Sequence, residues 1–139
     1  MKLPKPELGL VFRYDYLWSR EARRGNTTSK ERPACIALAT DSEVAPQLVV
    51  ILPITHSRPT DGASAIEIPP ATRRMLGLDD MPCWVIVSEH NVDDWPNPGI
   101  APVPGSKKSY VYGFLPPALY NAIKLEFLKR YSKPRGVRR

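Results

Sequence analysis

The chain has 139 residues and a mass of 15.6 kDa, the size of one ordinary domain. Its 42% hydrophobic and 24% charged content excludes wholesale disorder. The formal charge of +6 favours an anionic partner, a statement that sharpens only when the charge is placed along the sequence.

Six cations and no acid fall in residues 129–139, which leaves 1–128 neutral with 14 basic and 14 acidic groups. Within that body, residues 1–60 are positive (nine basic, six acidic) and residues 61–128 negative (five basic, eight acidic). An anion site built by the body should therefore draw on its first half. The reading divides the chain into a single domain over 1–131 and a basic C-terminal tail over 132–139, which either adds nonspecific, salt-dependent RNA affinity or is a solvated, disordered end.

The first ten residues contain lysines and prolines but no hydrophobic region of a signal peptide. The longest apolar run, Leu48 to Ile54, is seven residues, far short of a membrane span. Cys35 and Cys83 are an isolated pair inside apolar stretches. They read as small core residues of a reduced, cytoplasmic protein.

In chain order, Leu10, Phe12, Tyr14, Tyr16 and Trp18 alternate with their neighbours at a period of two, which predicts a half-buried strand. The polar, basic stretch from Ser19 to Lys30 reads as a long loop. Ala34–Ala39 and Leu48–Ile54 are continuous apolar runs, rich in β-branched residues and short enough for central strands. Ala65–Ile68, closed by Pro69-Pro70, Trp84–Val87 and Tyr110–Leu115 complete the predicted strands. A short helix over Ala71–Leu76 should stop at Gly77. A longer one, from Pro116-Pro117 to Tyr131, places Leu119, Ile123, Phe127 and Tyr131 every four residues, with Ala122 and Leu128 widening the stripe. The 16 prolines punctuate these elements. The expected fold is mainly β with α: a small, strongly twisted sheet or barrel packed against a C-terminal amphipathic helix.

Several chemistries lack their motifs. There is no Walker A sequence, no nucleophile elbow and no dinucleotide fingerprint, and His56 and His90 have no second ligand at finger or protease spacing. No cofactor or metal is implied. What remains is a set of polar residues at strand ends: Arg32 before Pro33, Thr55 and His56 after the Leu48 strand, and Glu89, His90 and Asn91 after the Trp84 strand. An arginine, a hydroxyl, an imidazole and a carboxylate at one sheet edge suit phosphate chemistry. Each taken singly is an ordinary turn residue.

Arg32-Pro33-Ala34 opening an apolar strand, followed by Val49-Val50-Ile51-Leu52-Pro53-Ile54-Thr55, resembles the MazF/PemK toxins of type II toxin–antitoxin modules. The order of elements continues in outline to Trp84–Glu89 and the last helix. The resemblance implies a small SH3-like, PemK-like barrel that forms a homodimer and cuts single-stranded RNA without a metal. It places Arg32 and Thr55 at the catalytic arginine and threonine positions, with His56 beside them as acid or base. Arg20, Arg23 and Arg24 in the basic loop, Trp18 as a stacking platform, and Glu89 and Asn91 at the strand end are the expected RNA contacts. Trp95 is a second candidate platform. The acid that family members carry shortly before the arginine is replaced by Thr27, with Glu21 and Glu31 the nearest acids. The implied partner is a small acidic antitoxin.

Two other readings compete. Ile66-Glu67-Ile68-Pro69 with Arg73-Arg74-Met75-Leu76-Gly77-Leu78 resembles the core of AbrB-like DNA-binding proteins, although Arg73 and Arg74 are more simply the exposed face of a short helix. A non-catalytic barrel acting as an interaction module is the other.

Overall fold

A computed structural model describes residues 3–40, 47–59, 64–105, 109–131 and 136–139. Nine strands and three helices are formed by these residues: β1 (Leu10–Asp15), α1 (Ser19–Arg23), β2 (Glu31–Ala39), β3 (Gln47–Thr55), β4 (Ala65–Glu67), α2 (Pro70–Met75), β5 (Trp84–Ile86), β6 (His90–Trp95), β7 (Ile100–Ala101), β8 (Val111–Phe114), α3 (Pro117–Arg130) and β9 (Gly136–Arg138). The chain is thus mainly β with α.

The centre is the antiparallel trio β1–β2–β3, in which Phe12 pairs Ala34 and Ala34 pairs Pro53. Both faces of this trio are buried, which is why β2 and β3 read as continuous apolar runs rather than alternating ones. Val11, Cys35, Ala37, Leu52 and Ile54 point to one core, shared with Ile68, Leu76, Val85, Ile123 and Phe127. Leu10, Phe12, Tyr14, Tyr16, Ala34, Ile36, Val49 and Ile51 point to the other, closed by Trp95. Cys35 and Cys83 are free and buried, as expected of core thiols.

The two outer strands of the trio each serve two partners along one edge. β3 pairs β6 through Gln47–Ile51 and β5 through Ile54–Thr55; β1 pairs β8 through Leu10–Phe12 and β7 through Arg13–Tyr14. This branching folds the sheet over its cores. It does not close: β4 and β7 end the main path, and no pairing joins them among the described residues. β4 and β5 are only three residues long and β7 only two, which leaves little ladder for closure.

Several expectations are corrected. The stretch after Trp18 is not all loop, because Ser19–Arg23 forms a short helix. Residues 90–95, read as a strand end and loop, form β6. The basic tail is not wholly solvated: Gly136–Arg138 lies parallel to β6, with His90 opposite Gly136, while residues 132–135 lie outside the described residues. A Cβ at position 136 would stand 2.6 Å from His90 Nε2, so the strand approaches this ring only because residue 136 is glycine. The α3 stripe is narrower than its periodicity suggested. Ile123 and Phe127 are buried, whereas Leu128 and Tyr131 are exposed. α2 ends where expected, with Leu76 as its cap and Gly77 at φ +69°. Its Arg73 is half-buried rather than exposed, and Nε and Nη1 have no hydrogen-bond partner.

Candidate functional site

The antiparallel register that sets Ala34 against Pro53 carries Arg32 opposite Thr55 two residues further on. Two strand ends distant in sequence therefore deliver an arginine and a threonine to one place. His56 follows directly, and all three line a cavity of about 570 Å³ with Arg13, Lys30, Glu31, Asp79 and Tyr112 on its walls. The volume is in the range of small-molecule sites, roughly 300–1,000 Å³.

Arg32 is the least satisfied polar group of this cavity. Its Nε is buried and has no hydrogen-bond partner. Its guanidinium lies 5.0 Å from the centre of the Trp18 ring, with Arg20 at 5.8 Å from the same ring and Tyr16 edge-on at 5.2 Å. Stacking on the indole holds the cation by its quadrupole while leaving in-plane donors for an oxyanion. Burial lowers the Arg32 pKa, and Glu21, Tyr16 and Asp15 oppose that effect while Arg20 adds to it. An arginine remains charged through such a shift. The outcome is a partly desolvated cation with a buried, unpartnered donor. Around it, Arg13 is fixed by donating from Nη1 to the Tyr112 hydroxyl (3.2 Å) and from Nη2 to the Glu31 carbonyl (3.2 Å).

Thr55 is half-buried at the end of β3, and its Oγ1 accepts from the Ser57 amide at 3.1 Å. The hydroxyl proton is not used by that bond. His56 is more constrained: Nε2 is 2.9 Å from Asp79 Oδ2 and Nδ1 is 3.0 Å from the Pro82 carbonyl. Both partners are acceptors, so only the doubly protonated ring satisfies both at once. Asp79 is itself held, with Oδ1 accepting from the Met81 amide at 3.0 Å. In this arrangement His56 pins the end of β3 to the segment before β5. It trades a proton with a ligand only by releasing one of these contacts.

The expected RNA contacts divide. Arg20, Arg23 and Arg24 are exposed on and just after α1, and Trp18 is half-buried beneath Arg32. Glu89 and Asn91 are committed elsewhere. Glu89 Oε1 accepts from the Ser19 amide (2.9 Å) and from the Tyr16 hydroxyl (3.1 Å), while Oε2 accepts from the Ser19 hydroxyl (3.4 Å). It caps the first turn of α1. Asn91 is fully buried, with Oδ1 accepting from the Leu17 amide at 2.9 Å and Nδ2 donating to the Leu17 carbonyl at 2.7 Å. Both side chains are bonded to the framework around Leu17 and α1 in this structure. Trp95 is likewise no platform: it is buried, edge-on to Phe12, and donates to the Pro4 carbonyl.

Sequence reasoning missed Arg13, Tyr112 and Asp79 as cavity walls. Arg13 carried a signal, being a charged residue between Phe12 and Tyr14 in β1. Among the described residues, no three His, Cys, Asp or Glu side chains gather as a metal cluster, and no helix is long and apolar enough to cross a membrane. No protein-family model and no curated protein matches the chain.

Proposed function

We propose that this protein is an endoribonuclease of the MazF/PemK type, cleaving single-stranded RNA without a metal at the Arg32–Thr55 cavity. The observation that carries the reading is the convergence of Arg32 and Thr55 on one cavity with the Arg32 Nε unpartnered. A buried donor without an acceptor costs about 1–3 kcal/mol, and a phosphate oxygen recovers it once the Arg32 side chain turns Nε toward the cavity. A polyanionic chain fits the surroundings: Arg20, Arg23 and Arg24 give a cationic approach beside the Trp18 ring on which Arg32 rests.

In the reaction, the ribose 2′-oxygen forms a bond to the adjacent phosphorus and the bond from phosphorus to the 5′-oxygen breaks. The 2′-hydroxyl proton leaves to a base and the 5′-oxygen acquires one. The products are a cyclic phosphate and a 5′-hydroxyl. Arg32 stabilises the extra charge on the phosphorane, and the Thr55 hydroxyl orients a phosphate or ribose oxygen. His56 serves proton transfer after exchanging its Pro82 or Asp79 contact for substrate. The same reading assigns a cytoplasmic toxin that inhibits translation and growth, working as a homodimer with an SH3-like, PemK-like topology and neutralised by an acidic antitoxin.

The test is incubation of the protein with single-stranded RNA in the presence of a chelator, followed by end analysis. Cyclic-phosphate and 5′-hydroxyl ends, lost in Arg32→Ala, are expected. Intact RNA together with specific binding of duplex DNA would replace this reading by the AbrB-like one, and inertness toward both would leave an interaction module.

A further inference from the structure

One heavily bonded cation among the described residues lies outside the cavity. Arg139, whose side chain is 13% exposed, pairs with Asp15 (15% exposed) through Nη2 and Oδ2 at 3.3 Å. Nη1 donates to the Asp15 carbonyl, to the Tyr14 hydroxyl (3.2 Å) and to Asn91 Oδ1 (3.2 Å). Nη2 also donates to the Thr27 carbonyl at 2.9 Å. The guanidinium stands 5.5 Å from the Tyr14 ring centre, and the Arg139 amide extends the β6 pairing by donating to the Val92 carbonyl at 2.7 Å.

These partners form a path to Arg32. Tyr14 and Asp15 are the β1 residues paired with Arg32 and Glu31. Asp15 Oδ1 accepts from the Ser29 amide at 2.7 Å, and the Ser29 hydroxyl donates to Glu21 at 3.1 Å. Asp15 thus carries Arg139 on one oxygen and the loop before β2 on the other. The Thr27 carbonyl gives Arg139 a second hold on that loop. A planar fork reaches all these acceptors together, which a lysine ammonium cannot.

We propose that Arg139 is a positioning residue for the candidate site, clamping residues 26–30 and the Tyr14–Asp15 pair so that Arg32 enters β2 in a fixed place beside the cavity. Its predicted effect on catalysis rests on the ribonuclease reading; its effect on the placement of Arg32 does not.

The experiment compares Arg139→Lys, which keeps the charge but not the fork, with Arg139→Ala and with Arg138→Ala as a neighbouring control. Amide exchange of residues 26–30 and the NMR resonance of the Arg32 Nε–H are followed in the full chain. Arg139→Lys should raise exchange at 26–30 by about tenfold and shift or broaden the Arg32 signal, while Arg138→Ala leaves both in place. If the wild type cleaves RNA, kcat should fall roughly ten- to a hundredfold in Arg139→Lys with KM little changed. Should Arg139→Ala fail to fold, the lysine variant still decides. Unchanged exchange and an unchanged Arg32 resonance would overturn the proposal. Faster loop exchange with an unmoved Arg32 resonance would also overturn it, reducing Arg139 to a structural tie. A wild type that leaves RNA intact defeats the ribonuclease reading alone, because the NMR measurements still determine whether Arg139 places Arg32.

Discussion

Arg32, whose backbone pairs with Tyr14, and Arg139, whose side chain bonds Tyr14 and Asp15, are two partly buried cations with opposite bonding. Arg139 donates to the carboxylate and carbonyl of Asp15, to the Tyr14 hydroxyl, to the Asn91 amide oxygen and to the Thr27 carbonyl. Arg32 rests on the Trp18 ring and keeps a buried Nε with no partner. A cation whose donors are consumed by the protein holds the fold together; one with an unconsumed donor keeps bonding capacity for another group. Charge along the sequence did not separate them. It placed six cations around Arg139 and a net of only three around Arg32, whereas the protein leaves a donor unpartnered at Arg32.

The largest expected effect breaks the Arg32 side of this comparison. Arg32→Ala should lower the cleavage rate by roughly 10²–10³-fold, the usual cost of losing one donor to a developing oxyanion. Thermal stability should hardly change, because the residue lies at the start of a strand and the deletion removes an unsatisfied donor. Parallel measurement of single-turnover cleavage and of Tm checks both halves. A large fall in Tm would show that Arg32 is another Arg139.

The framework side should respond in the opposite manner. Asn91→Ala strips the Leu17 amide and carbonyl of their partners and one acceptor from Arg139. At about 1–3 kcal/mol for each of the two buried Leu17 groups left unsatisfied, a loss of roughly 2–6 kcal/mol is expected in denaturant unfolding. Activity should follow the folded fraction. A variant of wild-type stability with weakened RNA binding would return Asn91 to the ligand contacts.

A pH dependence probes the strand that carries Arg139. His90 is buried under β9, edge-on to Phe127 and stacked with Tyr131 at 5.9 Å, and burial lowers its pKa. The folded ring therefore takes a proton at a lower pH than the unfolded one, whose value is about 6.5. Below that pH the unfolded chain binds the proton first, so stability falls with pH until the folded pKa is passed. His90→Phe, similar in shape, should remove this component from the pH–stability curve. An identical acid limb in both proteins would contradict it.

These residues also show what the sequence could reveal. β2, β3 and α3 were legible because apolar side chains recur where burial requires them, and Arg32 and Thr55 were legible by their order around those strands. β6 was not: it reads His-Asn-Val-Asp-Asp-Trp, and the burial of Asn91 and Asp93 depends on Leu17 and Tyr14, more than 70 residues away. α1 is five residues long and is capped by Glu89 from across the chain. Glu89 and Asn91 resembled site residues for the same reason. A polar side chain at a strand end looks identical in sequence whether its partner is a ligand or a distant backbone, and only the partner decides.

The smallest effect sharpens the comparison at its solvent edge. Arg23 and Arg24 are exposed at the C-terminal end of α1, and no hydrogen bond ties either guanidinium to the described residues. On the ribonuclease reading they would contribute to RNA binding only by counterion release, each phosphate contact adding about 0.7 to the slope of log affinity against log salt for a single strand. Arg23→Ala with Arg24→Ala should therefore reduce that slope by roughly 1.4, leaving Tm and the saturated cleavage rate unchanged. Titration of a short single-stranded RNA across several salt concentrations measures it. An unchanged slope would mean that the strand approaches Arg32 from the Lys30 and Arg13 side of the cavity instead, away from α1.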